Sequence, residues 1–141
     1  MKRLLMQGIF VIAVMGPLVC CDVTAPVDIG VTMRPTGAPR SVDCSTAFAP
    51  TVKFQVFDRA LDDLLRTEVT SPCDASQRYQ FKLEVGAYKL RVLGLNEQMA
   101  VCYATDYELN LRGGPVAKFD VVADQYPQGA DNGCEYPDVL P

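Results

Sequence analysis

Residues 81–92 read FKLEVGAYKLRV and carry the clearest hairpin pattern of the chain. Apolar side chains occupy every second position from Tyr79 to Val85 and again from Tyr88 to Val92, which is the period of half-buried strands. Gly86 lies between the two runs, where it can reverse the chain at no steric cost. The sequence therefore predicts an antiparallel hairpin of strands 79–85 and 88–92, in which Gly86 serves the turn and Tyr88 packs at the core.

The same period recurs along most of the chain. Residues 61–65 have some helical spacing but are too few for an independent helix. About seven to eight short strands without a long helix predict an all-β fold, specifically an antiparallel two-sheet β-sandwich over residues 27–124. The further strands are 27–33, 52–56 paired with 65–69 across the turn 58–63, a weaker 99–103, and a last hairpin of 107–111 with 117–121 across Gly113-Gly114.

Two parts of this pattern resemble a known family. Residues 81–92 resemble the strand, glycine, small residue, tyrosine, strand signature of carboxypeptidase regulatory-like domains, which are prealbumin-like sandwiches. Residues 107–122 resemble the closing strand pair of that family, and the likeness extends over residues 51–124. It implies a non-catalytic module that supports folding, assembly or adhesion. The cysteines are not part of the family pattern.

The first twenty residues resemble the signal peptide of a bacterial lipoprotein. Lys2 and Arg3 precede an apolar segment, residues 4–19, which is too short to read as a membrane-spanning helix. Leu18-Val19-Cys20-Cys21 resembles a lipobox, and Leu18 has the right spacing only for Cys21. We expect cleavage after residue 20 and lipidation of Cys21; an ordinary secretory signal or an uncleaved anchor is the alternative. A lipoprotein signal and an ordinary secretory signal both direct the protein out of the cytoplasm.

Lipidation would place the protein in the bacterial cell envelope, anchored to a membrane and facing the periplasm or the exterior. Asp22 resembles the enterobacterial signal for retention in the inner membrane, but the choice of membrane stays open because the host is unknown. Residues 21–26 form a short tether that reaches at most about 17 Å. We therefore expect an envelope protein partner close to the membrane surface.

The charge of the mature chain argues against nucleic acid as a partner. Removal of Lys2 and Arg3 changes the net charge from −4 to −6. An acidic domain gains nothing from a phosphate backbone, and anionic head groups repel it, so the acyl chains must hold it at the bilayer.

Four cysteines remain after Cys21, and an even number in an exported domain predicts two disulfides. Cys44 precedes strand 52–56 and Cys73 follows strand 65–69, so in an antiparallel pair both lie at the same end. The same logic pairs Cys102 with Cys134, which would pin an acidic tail, residues 125–141. A zinc site is the alternative, but there is no histidine and no C-x-x-C pair.

The absence of histidine removes the usual acid–base, nucleophilic and metal sites, so we expect no enzyme activity, no metal and no cofactor. Asp131-Asn132-Gly133 suggests an Asx turn rather than a calcium loop. The function favoured is a lipid-anchored binding or scaffolding module. The alternative is a small lipoprotein that binds a peptide or glycan, or acts as an enzyme, through a tyrosine and carboxylate cluster formed by Tyr103, Asp106, Tyr107 and Glu108, although the chain has no tryptophan to support a sugar platform.

Overall fold

A computed structural model describes residues 24–74, 76–126 and 133–138. The predicted signal peptide, the lipidation site Cys21 and part of the acidic tail lie outside these residues. Among the described residues, no helix has the length and hydropathy to cross a membrane.

The protein is all-β, as predicted. Its strands form one seven-stranded sheet in the order β3-β2-β5-β6-β7-β1-β4. The six adjacent pairs comprise five antiparallel pairs and one parallel pair, β1 with β7, so the sheet is mixed rather than purely antiparallel. The strands are β1 (Thr24–Arg34), β2 (Thr51–Asp58), β3 (Leu64–Pro72), β4 (Tyr79–Glu84), β5 (Gly86–Leu95), β6 (Val101–Leu111) and β7 (Ala117–Gln125), with one short 3-10 helix at Arg59–Leu61.

The single sheet curls around the core, and the predicted two separate sheets are not confirmed. Phe54 of β2 packs on Tyr79 and Phe81 of β4 with ring centroids 4.9 and 5.1 Å apart, although β2 and β4 are not neighbours in the sheet. We call β3, β2, β5 and β6 the first wing, and β7, β1 and β4 the second wing. The core between the wings is built mainly from alternate residues of β1, β2, β5, β6 and β7, and the edge strand β3 contributes no buried residue. Its members include Val27, Ile29, Met33, Val52, Phe54, Val56, Leu90, Val92, Tyr103, Val121 and Ala123.

The predicted hairpin of strands 79–85 and 88–92 is wrong. β4 pairs with β1, from Thr24 opposite Glu84 to Ile29 opposite Tyr79, whereas β5 pairs with β2 and β6. Only Val85 separates β4 from β5, and there the chain passes from one wing to the other. The alternation of apolar residues determines which face of a strand is buried, but it does not determine which strand lies beside it. The pattern of residues 79–92 therefore fits either pairing.

The other pairings follow the sequence more closely. β2 and β3 pair in antiparallel fashion, as predicted. Strands 99–103 and 107–111 are one continuous strand, β6. Its ladder with β7 is limited to Tyr103 opposite Gln125 and Ala104 opposite Asp124. The strands are antiparallel as predicted, but the predicted pairing of 107–111 with 117–121 is not formed, because the two strands diverge toward the glycine turn. β1 begins at Thr24, three residues earlier than predicted, which shortens the tether.

The strand registers define two ends of the molecule. The N-terminal rim contains Thr24, where β1 begins, with residues 58–64, 84–86 and 111–117, because the start of β5 lies beside the ends of β2 and β6. The disulfide rim is the opposite end, where β2 begins and β3 and β5 end. β5 alone spans about 30 Å between the rims at roughly 3.3 Å per residue.

Candidate binding surface

Both predicted disulfides are present, and both lie at the disulfide rim. Cys44 is bonded to Cys73, with their Cα atoms 5.8 Å apart. Cys102 is bonded to Cys134, with their Cα atoms 5.6 Å apart. The first bridge ties the loop before β2 to the end of β3, and the second ties the C-terminal segment to the start of β6. The longest loops of the fold are therefore held together at one end.

A cleft of about 600 Å³ opens between these bridged loops. It lies at the surface, and its lining combines apolar and polar groups without a lysine or arginine. The lining residues are Cys44, Ser45, Phe48, Pro50, Cys73, Asn96, Glu97, Gln98, Gly133 and Glu135. Such a surface can hold a peptide segment, with Glu97 and Glu135 favouring a cationic one.

Two large apolar side chains project from the loops around the cleft. Phe48 is 48% exposed at φ 54°, and Met99 is 50% exposed at φ 63°. A left-handed backbone is costly for a bulky side chain and persists only where the surrounding structure imposes it. Here the Cys44 carbonyl accepts from the Ala49 amide at 3.0 Å, and the Asn96 carbonyl accepts from the Met99 amide at 3.0 Å. Both loops therefore present an apolar side chain to solvent in a fixed conformation.

Asn96 fixes the geometry of one wall of the cleft. Its side chain is buried; Nδ2 donates to the Gly133 carbonyl at 2.9 Å, and Oδ1 accepts from the Ala100 amide at 2.9 Å. One amide thus joins the β5–β6 turn to the C-terminal segment. A binding role for Phe48, Asn96 or Met99 was not predicted from the sequence. The position of Asn96 between two strand patterns could have indicated its role, because asparagine side chains in turns often form hydrogen bonds with nearby backbone.

The tyrosine and carboxylate cluster proposed from the sequence is divided between two faces of β6. Tyr103 is fully buried in the core. Tyr107 lies on the same face and stacks on Phe119, with ring centroids 4.8 Å apart. Asp106 and Glu108 point to the outer face, as alternation requires. The four side chains therefore do not line one pocket.

The outer carboxylates are engaged in ion pairs. Arg91 donates to Asp106 through two bonds, of 2.7 and 2.9 Å, and lies over the ring of Phe57. The hydrogen bond from Arg91 lowers the pKa of Asp106 against the opposing effect of burial. Glu108 lies 3.5 Å from Arg59. A lowered pKa is the opposite of what a general acid needs near neutral pH.

Tyr103 has a hydroxyl group without a hydrogen-bond partner among the described residues. Burial raises its pKa to about 12. Its ring meets that of Tyr136 edge to face, with centroids 5.7 Å apart, so it anchors the C-terminal segment to the core. The residue is placed for packing.

A second polar cluster joins three strands on the outer face of the second wing. Arg78, just before β4, donates to Asp28 of β1 and to Asp120 of β7, both at 2.7 Å. It also donates to the Phe119 carbonyl at 3.1 Å. Asp28 is buried, so the guanidinium supplies the compensation that a buried carboxylate requires. No group of three or more potential metal ligands occurs in the part of the chain that the structure describes.

Comparison with known proteins adds little to this geometry. A scan against models of protein families finds no match, and a search of curated proteins also finds none. Among solved structures, the chain is similar to one described as the Bacillus anthracis TIE protein, at 10% sequence identity and a TM-score of 0.45. The match covers 72% of this chain and 17% of that chain, and a likeness this distant says nothing of function.

Proposed function

We propose that this protein is a lipid-anchored, non-catalytic binding module of a bacterial cell envelope, acylated at Cys21, which contacts an envelope protein through the cleft at its disulfide rim. The observation that carries the proposal is the polarity of the fold. β1 begins at the N-terminal rim, and the cleft lies at the opposite end of the sheet. A chain anchored just before Thr24 thus presents the cleft away from the membrane.

Two disulfides support a location outside the cytoplasm, because such bonds persist in oxidising compartments. They also support a binding role. A loop that has lost its freedom before binding costs less entropy when a partner orders it, so bridged loops are suited to recognition.

We further propose that the two wings act as the two layers of a prealbumin-like sandwich, as the family resemblance implies. The β6–β7 ladder that joins them comprises two residue pairs, and Phe54 packs across the core onto the opposite wing. These features are compatible with two layers that meet along a short seam.

Acylation is tested by metabolic labelling with an alkyne fatty acid in a bacterial host. The wild type and Cys20→Ser should carry the label, whereas Cys21→Ser should lose it and leave the membrane fraction. Cys20→Ser is the matched control, because it removes the neighbouring thiol only. Label that persists in Cys21→Ser would overturn the proposed anchor.

The binding role is tested by a photo-crosslinking residue in intact envelopes. At position 48, beside the cleft, it should yield a discrete adduct with a protein and no adduct with lipid. At position 69, an exposed site on the edge strand β3, it should yield none. Equal adducts at both positions would contradict the assignment of the cleft as the contact surface.

A further inference from the structure

The N-terminal rim carries a cluster of exposed apolar side chains. Single exposed apolar residues are ordinary on protein surfaces, whereas a group at one end of a molecule marks an interaction site. Three members of this group come from the connections between β2 and β3, between β4 and β5 and between β6 and β7, and the fourth is the first residue of β3. They are Leu61, Leu64, Val85 and Val116, which are 49%, 53%, 43% and 45% exposed.

The backbone holds the two leucines in place. Asp58 caps the 3-10 helix by accepting from the Ala60 amide at 3.0 Å. Asp62 and Asp63 then follow with φ of 52° and 58°, a conformation that aspartate tolerates better than most residues. Asp63 also accepts from Lys89 of β5 at 2.6 Å. Leu61 and Leu64, on either side of this turn, are therefore presented outward by a fixed loop.

The same rim reaches across both wings. Arg66, near the start of β3, lies 3.6 Å from Glu84 at the end of β4. Val85 follows Glu84 directly, and Thr24 is paired with Glu84. The leucine turn of the first wing and the valines of the two connections between the wings thus surround the point at which β1 begins.

Basic side chains complete this end of the molecule. Lys82, Arg112 and Lys118 are exposed, lie within a few residues of the rim, and make no ion pair with any described residue. Most of the other described lysines and arginines, such as Arg66 and Lys89, have an acidic partner. The domain as a whole is acidic, and the exposed Asp62 lies between the two leucines, but these three cations beside the apolar rim are available to anionic head groups.

We infer that the N-terminal rim docks on the lipid bilayer, with Leu61, Leu64, Val85 and Val116 at the head-group boundary. This inference rests on the proposed acylation of Cys21. Two residues separate Cys21 from Thr24, so the lipidated residue lies within about 10 Å of the rim at roughly 3.4 Å per residue. An anchor this short holds the apolar cluster against the membrane and orients the cleft at the disulfide rim toward the partner.

The test uses tryptophan as a reporter, because the chain contains none. Val116→Trp places the reporter at the N-terminal rim, and Leu61→Trp provides a second position should the first variant not fold. Phe48→Trp, at the opposite rim, is the matched control with an exposed fraction of 48% against 45% for Val116. Each acylated full chain is inserted into vesicles of phosphatidylethanolamine and phosphatidylglycerol that contain brominated phosphatidylcholine.

Bromine on the acyl chains should quench most of the emission of Val116→Trp and Leu61→Trp, while acrylamide in the water quenches Phe48→Trp. Comparable acrylamide quenching at both rims would overturn the inference. Shielding from acrylamide without quenching by bromine would also overturn it, since a second protein copy would then cover the rim. Failure of the chains to float with vesicles would instead refute the proposed anchor, and the docking with it.

Discussion

Arg78 donates to Asp28 through a bond of 2.7 Å from Nε to Oδ1, and so places a guanidinium on a buried carboxylate in the middle of β1. A second bond, to Asp120, extends the link to β7. The parallel pair β1–β7 and the edge strand β4 are therefore joined on their outer face by a single side chain.

Removal of Arg78 should destabilise the protein more than removal of a comparable surface cation. Arg78→Ala leaves Asp28 buried without its partner, whereas Arg34→Ala breaks a pair in which both side chains are about half exposed. Thermal unfolding followed by circular dichroism should show the larger drop in Tm for Arg78→Ala. Equal drops would contradict the structural role of the cluster.

Gly30 should accept a side chain only if the side chains of this cluster shift. A Cβ atom at Gly30 would lie 2.8 Å from Arg78 Nη1 and closer still to Asp120 Oδ1. Gly30→Ala should therefore cost about 1–3 kcal/mol of stability through overpacking. In an Asp120→Ala background the same change should cost less, and a double-mutant cycle measures the difference. Strictly additive effects would exclude a direct clash.

The hydroxyl of Tyr103 should be dispensable, unlike that of Tyr79. Tyr103→Phe removes a buried hydroxyl without a partner among the described residues, so stability should be unchanged or rise by about 1 kcal/mol. Tyr79→Phe is the control. Its hydroxyl donates to the Pro72 carbonyl at 2.9 Å, and its loss should cost about 1 kcal/mol. Destabilisation by Tyr103→Phe would reveal a partner for that group.

The buried hydroxyl of Tyr103 should also make the protein less stable at alkaline pH. Burial raises its pKa from 10.0 to about 12, so the unfolded chain releases the proton first. The contribution of the neutral Tyr103 to the free energy of unfolding is complete below pH 10 and is lost as the pH rises through the pKa of the folded state. Tyr103→Phe should lose less stability than the wild type over this range in denaturant titrations. Parallel losses would assign the alkaline transition to other groups.

The sequence predicts what each side chain does locally better than it predicts which strands meet. Alternation identified the strands, and cysteine position relative to strand ends identified both bridges, because each depends on the periodicity of one segment or one antiparallel pair. The pairing of β4 with β1 depends on residues 50 to 60 positions apart. A single residue such as Val85 can connect strands of different wings as readily as it can form a hairpin turn. The local sequence therefore did not distinguish a hairpin from a crossing between the wings.

The candidate surface was harder to predict for the same reason. The cleft is made by loops that only the assembled sheet brings together, and Phe48 and Met99 are single apolar residues in polar segments. Asp106 and Tyr107 were grouped because they are adjacent in sequence. Adjacent residues of a strand face opposite sides, which separates them in the fold.

Each disulfide should contribute to stability without affecting the anchor. The bridges join residues 29 and 32 positions apart, so the chain-entropy model assigns each about 3–4 kcal/mol. Paired serine substitutions at Cys44 and Cys73, or at Cys102 and Cys134, should lower Tm markedly while acylation and membrane fractionation stay unchanged. Loss of membrane association in either variant would show that the bridges serve export as well as stability.

The ion pair between Arg91 and Asp106 should make stability depend on pH in acid, and its titration also tests whether Asp106 could act in catalysis. Because Arg91 lowers the pKa of Asp106 below its ordinary value of 3.8, the pair stabilises the fold above that pH and loses this effect as the pH falls through the lowered folded value. Arg91→Met should reduce Tm slightly at neutral pH and make no difference in strong acid, where Asp106 is protonated in both proteins. Carbon-13 NMR titration of the Asp106 carboxyl group provides the direct measurement. A pKa above the ordinary value would instead make Asp106 a candidate general acid and favour the enzymatic alternative.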